Sequence, residues 1–210
     1  MINYLIVPGL GNSGTKHWQG FFFFFFRIQD KKFPQSSRGT RMGEPTCGKK
    51  DKNIRESFKI FIFFTIIIGH SLGCSTIAHW ASKYKRKIKG AMLVAPSDLE
   101  APQYTFPAIG FAPIPLDKIS FPTIVVASSD DIWVSLDRAQ FFAESWGSEF
   151  INIWKMQKQI NPSGFRRDRV EKILKPFLRI FWEIFLKKKF FKKKFNFILN
   201  EWGTFFQNFF

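Results

Sequence analysis

Ile60 to Ile68 reads IFIFFTIII, a continuous apolar and β-branched run that stops at Gly69. It is too short to cross a membrane, which takes about 20 residues, and it has no polar face to turn toward water. It therefore predicts a central strand of a parallel sheet, covered on both faces and closed by the glycine. The period then changes. Leu72 to Lys83 has helical spacing, with Leu72, Ile77, Trp80 and Ala81 expected to point inward. A buried strand that passes through a glycine into a helix is the first half of a βαβ unit.

The same alternation recurs along the chain. Ile2 to Val7 predicts a buried strand that runs into the glycine-rich stretch Pro8–Gly9–Leu10–Gly11–Asn12. Gly90 to Ala95 (GAMLVA) and Thr123 to Ala127 (TIVVA) predict two more buried strands. Ser135 to Trp146 reads as an amphipathic helix stopped by Gly147. Phe150 to Ile153 reads as a short strand, and Val170 to Leu186 as a helix interrupted by Pro176. This pattern implies an α/β fold with a doubly wound, mostly parallel sheet and helices on both faces. Ser97 to Phe121, rich in proline and aromatics, is long enough to be a lid or a binding wall.

Net charge is +16 and 29 residues are Phe, but neither is evenly spread. Residues 21–61 hold ten Lys/Arg against four Asp/Glu, and residues 155–210 hold fourteen against four. These two segments also hold 21 of the 29 Phe, whereas residues 62–154 are close to neutral. Phe21 to Phe26 is a run of six Phe, and Lys187 to Lys194 places two Lys triplets around a Phe pair. Neither run has a period that would bury Phe on one face and expose Lys on the other. Phe and Lys belong to T-only and A-only codons, so the hypothesis is that part of each segment is translated out of frame. The expected organisation is one domain over residues 1–178, atypical over 21–61, followed by a Phe/Lys-rich tail at 179–210. The composition excludes a disulfide scaffold, a collagen-like chain and an acidic disordered protein. Cys47 and Cys74 have no metal-ligand or redox spacing. Met1 to Leu10 lacks a basic leader and a long apolar stretch. The expectation is a cytoplasmic chain without a transmembrane segment, metal or other cofactor.

Gly69–His70–Ser71–Leu72–Gly73 fits G-x-S-x-G between a buried strand and a helix, the setting of a nucleophile elbow. The glycines permit a sharp turn that lifts the Ser71 hydroxyl above the sheet. The helix N-terminus places the Leu72 N–H beside an oxyanion formed on Ser71. A second oxyanion donor is expected in the loop after the first strand, with Leu10 N–H as the candidate. The acid should follow a later strand, and Asp131 is preferred to Asp130 in Ser128–Ser129–Asp130–Asp131.

These residues, with Val7 to Gly11, His17–Trp18, Cys74, Ala78–His79–Trp80, Leu93 to Asp98, Pro113 to Leu116 and Phe121 to Ser135, carry a resemblance. The chain resembles the small serine hydrolases of the retinoblastoma-binding-protein-nine type over residues 1–20 and about 62–178. The resemblance implies a compact α/β-hydrolase fold and a triad in the order Ser, Asp, His, with Ser71 as nucleophile and Asp131 as acid. Where that family has its histidine, this chain has Gln159, within Lys158–Gln159–Ile160–Asn161–Pro162–Ser163–Gly164. His17, His70 and His79 all precede Asp131. Gln cannot accept the serine proton, and adjacent side chains such as those of His70 and Ser71 diverge on an elbow. His79 lies about 12 Å along the helix. Lys155 and Lys158 would have to be buried to act as bases.

Three functions follow as expectations. The first is a serine hydrolase acting on a small ester or amide, impaired at Gln159. The second is a non-catalytic module that binds a ligand or protein on the same scaffold. The third is a weak anionic-surface binder working through the basic tail, where Phe181, Trp182 and Phe185 flank the Lys clusters; no specific nucleic acid is implied.

Overall fold

The structure is a computed structural model of the chain; it describes residues 3–10, 19, 47, 65–106 and 108–152. The readings placed on His17, on Gln159, on residues 21–61 other than Cys47, on the 170–186 helix and on the tail lie outside the described residues.

Five strands form one parallel sheet in the order in which they occur along the chain. They are β1 (Asn3–Val7), β2 (Thr65–His70), β3 (Gly90–Val94), β4 (Thr123–Ala127) and β5 (Glu149–Asn152). Helix α1 (Leu72–Tyr84) joins β2 to β3, and α2 (Leu136–Trp146) joins β4 to β5. Each crossover steps in the same direction, so right-handed connections place both helices on one face of the sheet. The packing agrees. Leu5, Val7, Ile67, Ala91, Leu93, Val125 and Ala127 form one core with Ile77, Ala78, Trp80 and Ala81 of α1 and Ala139, Phe142, Ala143 and Trp146 of α2. The alternate residues on the other face, among them Ile66, Ile68, Met92, Val94 and Val126, are also fully buried. Two buried faces explain why the strands read as unbroken apolar runs.

All four inward positions expected in α1 are buried. The strand before it runs two residues past the end of its reading, while residues 60–64 of that reading lie outside the described residues. Gly69 does not close β2; it pairs with Val7 on one side and Leu93 on the other, and the strand continues to His70. A Cβ at Gly69 would meet Ile77 Cδ1 at 2.6 Å and the backbone of α1 at Cys74 N and Gly73 C at 3.3 Å, so the glycine lies within a strand against which the helix packs closely. At the other end, Lys85 is left-handed and donates its N–H to Ala81 O. Helix α2 starts at Ser135, whose hydroxyl accepts the Arg138 N–H, and ends at left-handed Gly147. β5 starts one residue earlier than its reading, at Glu149.

The loop from β3 to β4 is moored by its apolar residues. Phe111, Ile114 and Ile119 are buried, and Trp146 donates its indole N–H to Pro115 O at 2.8 Å. Because every strand runs the same way, the loops that leave β1, β2, β3 and β4 all open at one edge of the sheet.

Candidate active site

Ser71 is the only residue between β2 and α1. Its backbone has φ 52° and ψ −122°, a conformation that disfavours any side chain with a Cβ. Backbone contacts hold it there. Ser71 N–H donates to Val94 O at 3.0 Å, and Ser71 O accepts the Cys74 N–H at 2.9 Å. A Cβ at Gly73 would lie 2.2 Å from Val7 O, so α1 begins directly against the end of β1. This contact explains the last glycine of the motif: only hydrogen fits there. The Ser71 side chain makes no hydrogen bond to cap α1. Its Oγ instead meets Ser97 Oγ at 2.6 Å.

The loop after β1 lies beside this turn. A Cβ at Gly9 would approach Ser71 Cβ to 3.0 Å and His70 Nδ1 to 3.4 Å. Leu10 is the next residue, half-buried in a turn. Buried Gln19 ties the strand ends together by donating its side-chain N–H groups to Val7 O and Ile68 O. Leu72 is the first residue of α1, where a backbone N–H has no acceptor within its own helix. The two expected oxyanion donors thus belong to segments that flank Ser71.

Asp131 lies four residues beyond β4, and β3 separates that strand from β2. Two strand spacings amount to about 10 Å at the sheet edge. The Asp131 carboxylate accepts the Trp133 N–H at 2.8 Å. Burial raises its pKa above the ordinary carboxylate value, the neighbouring Asp130 adds to the rise, and the N–H groups of Trp133 and Val134 oppose it. Asp130 is engaged differently, accepting the Ser128 hydroxyl. His79, two turns along α1 from the elbow, places Nε2 2.8 Å from Phe111 O and serves to hold the long loop on the helix.

Two features of the site were not assigned residue by residue in the sequence, the pairing of Ser97 and Asp98 with their partners and the joining of Trp133 to the long aromatic loop. Ser97 and Asp98 sit after β3, between the other two loops, and are 1% and 5% exposed. Asp98 takes both Nε and Nη2 of Arg138, at 2.8 and 3.2 Å, and its N–H donates to Trp133 O at 3.0 Å. No local spacing signals a pair 40 residues apart. The second feature is an aromatic wall. Trp133 lies 5.1 Å from Phe106 and 6.1 Å from Tyr104 between ring centroids, which joins the long loop to the acid-bearing one. Phe106 and Ile132 remain 44% and 59% exposed there.

A family model described as serine hydrolase matches residues 4–169. The chain belongs to the serine hydrolase family. No curated protein matches it. Among solved structures, this serine hydrolase is similar to a YdeN-like protein of Pectobacterium atrosepticum, at 23% identity and TM-score 0.63, over 83% of this chain and 90% of that one. It is also similar to MGS-MChE2, an α/β-hydrolase enzyme from the metagenome of lagoon sediments at Mar Chica, at 12% identity and TM-score 0.58, covering 87% and 91%. A thermophilic esterase from Thermogutta terrifontis follows at 16% identity and TM-score 0.54, covering 85% and 90%. Together with the parallel sheet, these similarities identify the fold as that of an α/β hydrolase. Among the described residues of this serine hydrolase, no helix is long and apolar enough to cross a membrane.

Proposed function

We propose that the chain is a serine hydrolase of the retinoblastoma-binding-protein-nine type, built to cleave a small ester or amide through an acyl-enzyme on Ser71. The observation that carries this reading is the Ser71 backbone: a strained, one-residue turn whose hydroxyl is kept off its own helix. In the reaction the hydroxyl adds to the substrate carbonyl. The resulting oxyanion is taken by the N–H groups of Leu72 and Leu10, and collapse expels an alcohol or amine. Water then attacks the ester on Ser71 and releases the acid. Asp131 is the acid of the triad, and its role in that order is to orient a histidine.

Gln159 stands where that histidine belongs, and an amide cannot take the serine proton. The chain is therefore expected to be a weak hydrolase. Labelling by a fluorophosphonate probe and hydrolysis of a short-chain ester test this directly. Gln159→His is expected to raise both by at least about 10³-fold, and Ser71→Ala in that background to abolish them. If Gln159→His neither labels nor hydrolyses any short ester, Ser71 is not the nucleophile. The missing base favours one further reading, a scaffold that binds the same ligands without turnover. It predicts saturable binding of a small ester that persists in Ser71→Ala.

A further inference from the structure

Ser97 stands out because its hydroxyl is almost wholly buried, 1% exposed, and meets the candidate nucleophile at 2.6 Å. Its segment is fixed from three directions. Ala95, left-handed at φ 49°, turns the chain out of β3 and donates its N–H to Val126 O at 2.8 Å. Asp98 is clamped by the planar guanidinium of Arg138, the third residue of α2, which also reaches Glu100 Oε2 at 3.2 Å. Asp98 N–H binds Trp133 O, and Trp133 N–H binds the Asp131 carboxylate. The four-residue stretch from Ala95 to Asp98 thus touches the Ser71 hydroxyl on one side and the backbone that holds Asp131 on the other.

We propose that Ser97 is a positioning residue: its hydroxyl fixes the Ser71 hydroxyl in one rotamer, and the Asp98–Arg138 pair holds Ser97 in place to do so. The proposal rests on the reading of Ser71 as nucleophile. A serine on a one-residue turn has three staggered side-chain wells, and attack needs one of them. Ser71 gains nothing from capping its own helix, so the partner that selects the well has to come from another loop. The bond is part-buried, and its Ser97 end is enclosed, so water has little access to compete for that hydroxyl. Ser97 acts in this proposal through the Ser71 hydroxyl alone. Its loss should therefore lower the rate of reaction at Ser71 and leave the binding of the reagent unchanged.

The test uses the full chain in the Gln159→His background, with a small fluorophosphonate as the probe. Ser97→Ala is expected to slow the maximal labelling rate about tenfold, the loss of roughly one hydrogen bond, with the half-saturating probe concentration unchanged. Ser97→Thr, which keeps the hydroxyl, should restore most of the rate. A crystal structure of Ser97→Ala should show the Ser71 side chain redistributed over several wells. An unchanged labelling rate in an enzyme that labels, or an unchanged single Ser71 rotamer, overturns the proposal. Should the Gln159→His parent fail to label at all, the hydrolase reading falls, and the Ser71 rotamer in Ser97→Ala still decides whether Ser97 positions it.

Discussion

Between β2 and α1 the chain turns within a single residue, Ser71, whereas between β4 and α2 it spends Ser128 to Ser135 on the same kind of crossover. In the first junction, sterics constrain the backbone of the turn: a strained φ at Ser71, and a glycine at which a Cβ would stand 2.2 Å from Val7 O. In the second, hydrogen bonds do it, through Trp133 N–H on Asp131, the Ser128 hydroxyl on Asp130 and the Ser135 cap. The turn at Ser71 is placed by close packing, which is stiff and indifferent to pH. A carboxylate is placed by polar contacts, which leave its charge open to titration.

The sharpest way to break this contrast is at the close approach. Gly73→Ala drives a Cβ into backbone, which cannot rotate away, so a loss of about 3 kcal/mol or more is expected in denaturant unfolding. A loss below about 1 kcal/mol would show that β1 does not press on the elbow. Strain at Ser71 predicts an inversion of the usual order. Glycine ordinarily destabilises relative to alanine, yet here Ser71→Gly should be about 1 kcal/mol more stable than Ser71→Ala, with labelling absent in both. Thermal or chemical melts of the two variants compare them directly.

The second junction answers to smaller changes. Ser135→Ala removes the cap on Arg138 N–H and should destabilise by about 1 kcal/mol, read from denaturant midpoints. The gentlest effect is electrostatic. Burial raises the Asp131 pKa, so its contribution to stability is complete below the ordinary value of about 3.8 and fades as pH rises through the raised value. Asp131→Asn never ionises and should gain stability on the parent as pH climbs across that window. A difference between the two that stays flat with pH would place the carboxylate in solvent.

Much of this was legible in the residues themselves. The apolar runs of β2, β3 and β4 announce buried parallel strands because each strand is covered on both faces. Ser135 and Gly147 mark the ends of α2 because capping is local chemistry. Gly69 misled as a strand end, since a glycine packed against a helix looks the same in sequence as one in a turn.

The opening run of apolar residues and the motif behind it were sufficient for a buried strand and a tight turn at Ser71 into a helix, because hydrophobic period and turn chemistry act between residues close along the chain. Only the folded sheet could bring Ser97 to Ser71, Arg138 to Asp98 and Trp133 between Asp98 and Asp131. Apart from the local bond between Trp133 and Asp131, those partners stand 26 to 40 residues apart and leave no local period behind. Parallel strands deliver their carboxyl ends to one edge, and the partners meet only there.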